Sequence, residues 1–303
     1  MSKTKNPVRI PDQILGNPLS QAGRYMPSYR LQCHSAFSLT KTVKSHGWVQ
    51  LEPWRWDGIY LSREDSIGPW QGSISVRQIS ETVLQIDTDF WVGSEVTALV
   101  KRWLSLDWDA GPFQALASEV DPAISEFLSA GGGRLLRGSC FYEDLVKTIC
   151  TINTTWGQTK SMVSALVNLG EGRFPSPRLL LDIGFETVGK ACKLGFRAQT
   201  LANATSRLMQ EDKLTDDGSA DEKQISYADL VAIKGIGPYS AAHCMVLLHD
   251  FSQLPIDSEV TAYLLESGIQ PSSAEEHFSH WKDFPFLGYK LGRIVAKKNW
   301  IGD

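Results

Sequence analysis

The sequence lacks two features that mark membrane and secreted proteins. No apolar run approaches the roughly 20 residues that a membrane-spanning helix requires. The first residues, MSKTKNPVRIPDQ, are polar and lack the apolar core of a secretory signal. We therefore expect a cytoplasmic protein that does not contact a membrane.

Cysteine is scarce and scattered. The five cysteines include no C-x-x-C pair, so their spacing indicates neither a zinc site nor a disulfide framework. No cysteine follows Cys244, which excludes a C-terminal iron–sulfur cluster held by four cysteines.

An excess of positive charge is also missing. The formal net charge is −4, which argues against broad, nonspecific binding of nucleic acid, because neutralising phosphates requires clustered Lys and Arg. A local basic surface remains compatible with this total. Tryptophan, by contrast, occurs ten times, and such aromatic side chains either fill a core or build a stacking pocket for a planar ligand.

The pattern of apolar residues divides the chain into three parts. Residues 1–25 are polar and contain proline, which predicts a loose lead-in. Residues 26–118 contain β-rich segments separated by Gly, Pro and Asp, which predict an antiparallel β-sheet domain of about five strands. Helical spacing begins near residue 95 and dominates residues 119–303, so the predicted class is α+β. The segments predicted as strands are FSLTKTV (37–43), WVQLEPW (48–54), GIYLSRE (58–64), GSISVRQI (72–79) and TVLQIDTDF (82–90).

Residues 226–249, SYADLVAIKGIGPYSAAHCMVLLH, predict two helices joined by a tight hairpin. Gly235 and Gly237 let the backbone turn sharply and approach another surface closely. Pro238 suits the first turn of the second helix, where a missing N–H group costs nothing. The free N–H groups and the positive dipole end at this helix start favour a phosphate.

The loop of residues 250–258 contains Asp257 at the N-cap position of the next helix. Capping alone would explain this residue. Hairpin and loop together, however, resemble the signature of the helix-hairpin-helix DNA glycosylases, in which a Gly/Pro-rich loop precedes a catalytic Asp. The resemblance covers residues 120–295 and is nearest to the 3-methyladenine and 8-oxoguanine branches. It implies a mostly helical glycosylase core with an additional N-terminal antiparallel sheet.

This resemblance implies that Asp257 stabilises the positive charge that develops on the sugar when a damaged or modified base leaves. Bifunctional members of the family carry a lysine at the position of Tyr239, and a phenol cannot form an imine with the sugar. We therefore expect a monofunctional DNA glycosylase that leaves an abasic site and has no lyase activity.

The resemblance also assigns contacts with the DNA. Asn153 matches the residue that faces the orphaned partner base, and Phe196 with Arg197 matches the wedge that fills the gap left by base flipping. The residues expected at the DNA backbone are Lys234, Gly235 and Gly237, and the residues whose carbonyls would hold a monovalent cation are Val231, Ile233 and Ile236. The residues expected in the base pocket, between the second hairpin helix and the last helix, are Tyr239, His243, Tyr289 and Arg293.

We expect a monomer that acts on double-stranded DNA containing a modified base and, in a bacterium, is associated with the nucleoid. A structural Na⁺ or K⁺ at the hairpin is compatible with the resemblance, and no other cofactor is required. Three alternatives stay open: a bifunctional glycosylase/lyase with another amine, a non-catalytic helix-hairpin-helix DNA-binding protein, and a helical scaffold that binds a small aromatic ligand. The sequence does not identify the excised base.

Overall fold

A computed structural model describes residues 26–297 of the chain. The predicted lead-in of residues 1–25 and the end of the predicted helical core, residues 298–303, lie outside the described residues. Within the described part, a five-stranded antiparallel sheet precedes most of the helices, which confirms the α+β prediction. The described residues contain no helix whose length and apolar character would let it cross a membrane.

The sheet lies at the N-terminal side of the chain and has the strand order β1-β5-β4-β3-β2. In β3 and β4, Ile67 pairs with Trp70, so Gly68 and Pro69 form a two-residue turn. Gly68 adopts φ +56°, a left-handed conformation that favours glycine. The strands are β1 (Ser28–Gln32), β2 (Arg55–Trp56), β3 (Tyr60–Ile67), β4 (Trp70–Ser80) and β5 (Val83–Thr88).

Two of the five predicted strands are wrong. The segment FSLTKTV contains helix α1 (Leu39–Val43), because the Ser38 hydroxyl caps the helix by accepting a hydrogen bond from the Lys41 N–H group at 3.2 Å. The segment WVQLEPW begins in a short 3₁₀ helix at Gly47–Gln50 and continues as a turn. Local capping and packing thus override the β propensity of these residues. The remaining two strands of the sheet are β1 and β2.

Thirteen further α-helices follow the sheet within residues 26–297, in the part of the chain where the apolar spacing is helical. Helix α3 was not predicted and lies in the part of the chain assigned to the sheet domain. The boundaries of the predicted domains stay predictions. The helices are α2 (Glu95–Trp103), α3 (Gly111–Val120), α4 (Pro122–Ser129), α5 (Phe141–Thr151), α6 (Trp156–Leu169), α7 (Pro177–Ile183), α8 (Phe185–Ala191), α9 (Arg197–Gln210), α10 (Tyr227–Val231), α11 (Pro238–Leu247), α12 (Ser258–Glu266), α13 (Ala274–Phe278) and α14 (Pro285–Ala296).

Two hydrophobic clusters hold these elements together. The larger cluster joins the inner face of the sheet to α5, α6, α9 and α11. The smaller cluster joins α3 and α4 to α12, α13 and α14, and it contains Trp281, with Phe284 packed against it. Because α11 contributes to both clusters, its position is fixed from both sides.

A buried ionic cluster fixes α5 against the sheet. The Arg63 guanidinium, on the inner face of β3, donates two hydrogen bonds of 2.9 Å to the Glu143 carboxylate of α5. The Lys147 ammonium lies 2.6 Å from the same carboxylate, and all three side chains are fully buried. Buried charges require such pairing, since an unpaired one would be strongly destabilising. This cluster therefore anchors the first turns of α5 to β3.

Candidate active site

The predicted hairpin is present between α10 and α11. The Gly235 backbone adopts φ +103°, and a Cβ atom there would lie 2.2 Å from the Thr200 hydroxyl of α9. Gly237 has an ordinary extended backbone as the N-cap of α11, and a Cβ atom there would meet nothing within 4 Å. Gly235 is therefore required by the fold, whereas Gly237 leaves space open in front of the helix N-terminus.

Side chains of α9 support the hairpin from behind. The Asn203 amide donates to the Lys234 carbonyl at 3.0 Å, and the Arg207 guanidinium donates to the Ala232 carbonyl at 2.8 Å. Ile233 and Ile236 are buried below the turn, and the Lys234 side chain is exposed. The N–H groups at the start of α11 thus sit on a rigid, outward-facing turn.

Asp257 is the N-cap of α12, as the sequence predicts. The Val260 N–H group donates to its Oδ1 atom at 2.8 Å. Among residues 26–297, the Oδ2 atom accepts no hydrogen bond. One oxygen therefore fixes the carboxylate, and the other remains available to a ligand.

A cavity of about 330 Å³ opens beside Asp257. The predicted pocket residues Tyr239 and His243 of α11 and Tyr289 of α14 line it, and the rings of Tyr239 and His243 stack with centroids 6.0 Å apart. Arg293 does not line the cavity. Its guanidinium instead donates to the Tyr289 hydroxyl at 2.7 Å and lies 2.8 Å from the Glu259 carboxylate.

The cavity also contains residues that the sequence did not indicate. His46 and Trp48, in and before the short 3₁₀ helix after α1, form its opposite wall, and the ring centroids of Trp48 and His243 lie 5.2 Å apart. No local pattern links these residues to α11, since they are almost 200 positions away along the chain. Lys290 of α14 is also part of the lining. It follows Phe286 by four positions and therefore shares a helix face with it, a spacing from which its place in the lining could have been predicted.

Burial keeps the ionisable rings of the cavity uncharged near neutral pH. Burial and the positive charge of Lys290 lower the pKa of His243 to about 4. Burial, followed by the effects of His243 and Lys290, lowers the pKa of His46 to about 3. Burial and the negative charge of Asp257 raise the pKa of Tyr239 to about 12. The three rings are therefore neutral donors or acceptors of hydrogen bonds.

Asn153 and Phe196 lie together beside a second depression next to the hairpin groove. Asn153 adopts a left-handed backbone with φ +46° in the loop after α5. Phe196, just before α9, is 54% exposed, which is high for a phenylalanine ring. Both residues line the same depression as Arg197. The ring of Phe196 is therefore accessible, and its role as a wedge stays a prediction.

Arg197 points into the protein, and this placement does not support its predicted role as a wedge. Its side chain is buried, with Nε donating to the Ile152 carbonyl at 2.9 Å and Nη2 donating to the Asn153 carbonyl at 3.0 Å. The guanidinium also lies 4.5 Å from the centroid of the Phe196 ring. Arg197 therefore holds the Asn153 loop and supports Phe196 from below.

The separate parts of the predicted site form one continuous surface. A groove connects the hairpin residues Gly235 and Gly237 to Asn153 and Asp257. Asp257 lines both this groove and the cavity, and Asn153 lines both the groove and the depression at Phe196. A ligand lying along the groove could thus contact the hairpin and insert one group into the cavity past Asp257.

Comparison with known proteins gives matches at the level of the fold. No protein-family profile matches the chain, and no curated protein sequence matches it. Among solved structures, 8-oxoguanine glycosylase/lyase from Clostridium acetobutylicum in its apo form has a TM-score of 0.65 and 18% identity, covering 94% of this chain and 99% of that one. The same enzyme in complex with double-stranded DNA that contains cytosine opposite 8-oxoG has a TM-score of 0.63 and 18% identity, covering 95% and 99%.

The 3-methyladenine DNA glycosylase from Archaeoglobus fulgidus is also similar. Its TM-score is 0.68 with 15% identity, and the match covers 88% of this chain and 98% of that one. These likenesses span nearly the whole length of each protein. They show that the chain has the fold of these glycosylases, which confirms the structural part of the resemblance found in the sequence.

Proposed function

We propose that the chain is a monofunctional DNA glycosylase that hydrolyses the N-glycosidic bond of a modified base flipped out of duplex DNA. One observation carries the proposal: Asp257 stands between a hairpin groove and a cavity lined by aromatic rings, with one carboxylate oxygen fixed and the other free. The cavity of about 330 Å³ lies at the lower end of the usual range for ligand pockets, roughly 300–1,000 Å³. The size suits a nucleobase.

The chemistry follows from the position of the carboxylate. Cleavage of an N-glycosidic bond builds positive charge on the sugar, and a fixed negative charge beside the anomeric carbon stabilises the transition state. In Asp257, the bond from the Val260 N–H group prevents rotation of the side chain. The free Oδ2 atom can then face the sugar and orient the attacking water. The products are the free base and an abasic site.

The DNA would be held along the groove. The exposed turn at Gly235 and Gly237 presents backbone N–H groups and the positive end of the α11 dipole, which suit a phosphate. Phe196 would fill the space left by the flipped base, and Asn153 would face the partner base. Lys234, whose side chain is exposed at the same turn, would add a positive charge near that phosphate.

The absence of lyase activity is part of the proposal. Tyr239 lines the cavity, and by the resemblance it stands where bifunctional members carry the lysine that attacks the sugar; a phenol forms no imine. Lys234 does not line the cavity, so its amine is not placed to reach the anomeric carbon. Lys290 is the amine that does line the cavity, and it must be tested directly.

A structural Na⁺ or K⁺ at the hairpin fits the backbone there. Among the described residues, the carbonyls of Val231 and Ile236 accept no hydrogen bond, and the Ile233 carbonyl accepts one from the Ile236 N–H group at 3.0 Å. Carbonyl oxygens with free lone pairs are suitable ligands for such a cation. Hydrolysis itself needs only water, so we propose no further cofactor. The proposed enzyme acts as a monomer, in the cytoplasm or on the nucleoid.

The decisive experiment compares wild type and Asp257→Asn on duplexes that each carry one modified base, with alkali used to reveal abasic sites. Asn caps a helix as well as Asp does, so the variant keeps the start of α12 but loses the charge. We expect wild type to release at least one base, and Asp257→Asn to be slower by about a hundredfold or more, since one electrostatic group of this kind contributes that much.

Asp121→Asn is the matched control. Asp121 caps α4 through hydrogen bonds to the Ala123 and Ile124 N–H groups, and it does not line the cavity or the groove. This variant should retain full activity. Duplex binding by wild type without release of any base would favour the non-catalytic alternative, and no binding at all would favour a scaffold for another ligand.

Borohydride trapping tests for a lyase. A glycosylase that uses water forms no imine, so we expect no covalent adduct between the protein and a cleaved duplex. An adduct formed by wild type but not by Lys290→Met would show that Lys290 is a nucleophile and would contradict the monofunctional proposal.

A further inference from the structure

Lys290 is a cationic side chain in the wall of the cavity. It lies on α14 directly after Tyr289, four positions from Phe286, and all three residues line the cavity. Within residues 26–297, its ammonium forms neither a hydrogen bond nor an ion pair. Of the described residues that line the cavity, Lys290 is the only Lys or Arg. A half-buried cation without a protein partner is unusual and is available to a ligand.

Two carboxylates, Asp257 and Glu259, also line the cavity, but neither forms an ion pair with the Lys290 ammonium among the described residues. Glu259 is already paired with Arg293 at 2.8 Å. Asp257 lies beyond ion-pairing distance, and Lys297 adds further positive charge on the same helix. Burial lowers the pKa of Lys290 below its usual value, while Glu259 raises it in part.

The rings of His46 and His243, which line the same cavity as Lys290, are neutral. The Nε2 atom of His46 lies 2.7 Å from the Leu136 carbonyl, and because a carbonyl only accepts, this nitrogen carries the ring proton. His243 forms no hydrogen bond within the described residues. Both histidines therefore offer hydrogen-bonding groups to a ligand but no charge, and Lys290 is the one cationic group among the described lining residues.

We propose, on the basis of the function proposed above, that Lys290 determines which bases the cavity accepts: it favours a neutral base that carries a hydrogen-bond acceptor and rejects a base with a fixed positive charge. An ammonium group has three donors and no acceptor, so it binds a carbonyl oxygen or ring nitrogen strongly. A cationic base at the same place would repel it across a few ångströms of low-dielectric surroundings. The aromatic wall of Trp48 and Tyr239 alone would attract a cationic base, and Lys290 reverses that preference.

The test measures single-turnover excision from duplexes that contain 8-oxoguanine, which is neutral and carries carbonyl oxygens, or 7-methylguanine, in which alkylation fixes a positive charge. The other bases of the panel are classed in the same two groups. Because the two bases leave at different intrinsic rates, each variant is compared with wild type on the same duplex. The variants are Lys290→Met, Lys290→Glu and, as a control, Lys297→Met on the exposed end of the same helix.

We expect Lys290→Met to slow excision of the neutral base by about tenfold or more, the contribution of one charged hydrogen bond. Excision of the cationic base should not fall, and Lys290→Glu should increase it. Lys297→Met should change neither rate. Binding to a duplex with a tetrahydrofuran abasic analogue, which has no base, should be unchanged in Lys290→Met, since only the contact with the base is removed.

The outcomes separate this inference from the function that it assumes. If no duplex shows excision that depends on Asp257, the proposed function fails. If excision depends on Asp257 but Lys290→Met slows both classes of base equally, or wild type releases only cationic bases, this inference alone is refuted.

Discussion

The two glycines of the hairpin have different expected roles: Gly235 is needed for folding, and Gly237 for DNA binding. Gly235→Ala should lower the free energy of unfolding by about 1–3 kcal/mol, because a side chain is strained at its positive φ angle and clashes with Thr200. Urea unfolding measures this loss. Gly237→Ala should leave stability nearly unchanged, because its Cβ atom meets no other atom, yet it should weaken duplex binding by standing where the phosphate approaches.

Equal losses of stability in the two variants would contradict this division between folding and DNA binding.

The sequence predicted both glycines and the capping role of Asp257, because turn and cap preferences are local. It could not show that Arg197 turns inward, since its partners are the carbonyls of Ile152 and Asn153, more than 40 positions away. The direction of a side chain depends on contacts that the sequence does not display.

At the scale of elements, the buried Glu143 carboxylate links β3 to α5. Glu143→Gln would leave the Lys147 ammonium without an ion-pair partner among the described residues and Arg63 with Asp65 as its remaining partner, and we expect a loss of about 3–5 kcal/mol in the free energy of unfolding. Glu186→Gln is the matched control, because Glu186 forms an exposed pair with Lys190 four positions later. Denaturant unfolding should show a much smaller loss in the control.

A loss of unfolding free energy in Glu143→Gln as small as in the control would show that the ionic cluster is not needed to hold α5.

The helices were predicted well where the apolar spacing was helical, as in α5, α9 and α14. They were predicted poorly in the FSLTKTV and WVQLEPW segments, where β-branched and aromatic residues are buried in short helices. The sequence did not indicate that Arg63 and Glu143 form an ion pair, because their pairing depends on the tertiary fold.

At the scale of the molecule, stability should fall as the pH is lowered from about 6.5 to about 4.5. In the folded state burial lowers the pKa values of His46, His243 and His249 to about 3, 4 and 2, whereas unfolded histidines bind protons near pH 6.5. Each such histidine stabilises the fold fully above pH 6.5 and progressively less below it, because only the unfolded state gains the proton. Urea unfolding at several pH values measures the slope.

Replacing one of these histidines, as in His243→Gln, should reduce the slope by at most one proton, about 1.4 kcal/mol per pH unit. The buried Glu143 acts in the same direction only near the lower end of this window, since its usual pKa is 4.5 and the fold holds it well below that value. An unchanged slope in His243→Gln would mean that its ring is protonated in the folded protein. These pKa shifts could not be predicted from the sequence, because they arise from burial.

The larger hydrophobic cluster links the N-terminal strands to α11, the second helix of the hairpin. Leu61 and Ile86 of the sheet belong to the same cluster as Ala241 and Leu247 of α11. The strands and α11 thus share one core, and removing the strands would bring apolar side chains of that core into water. The strands are therefore part of the structure that supports the hairpin rather than an independent appendage.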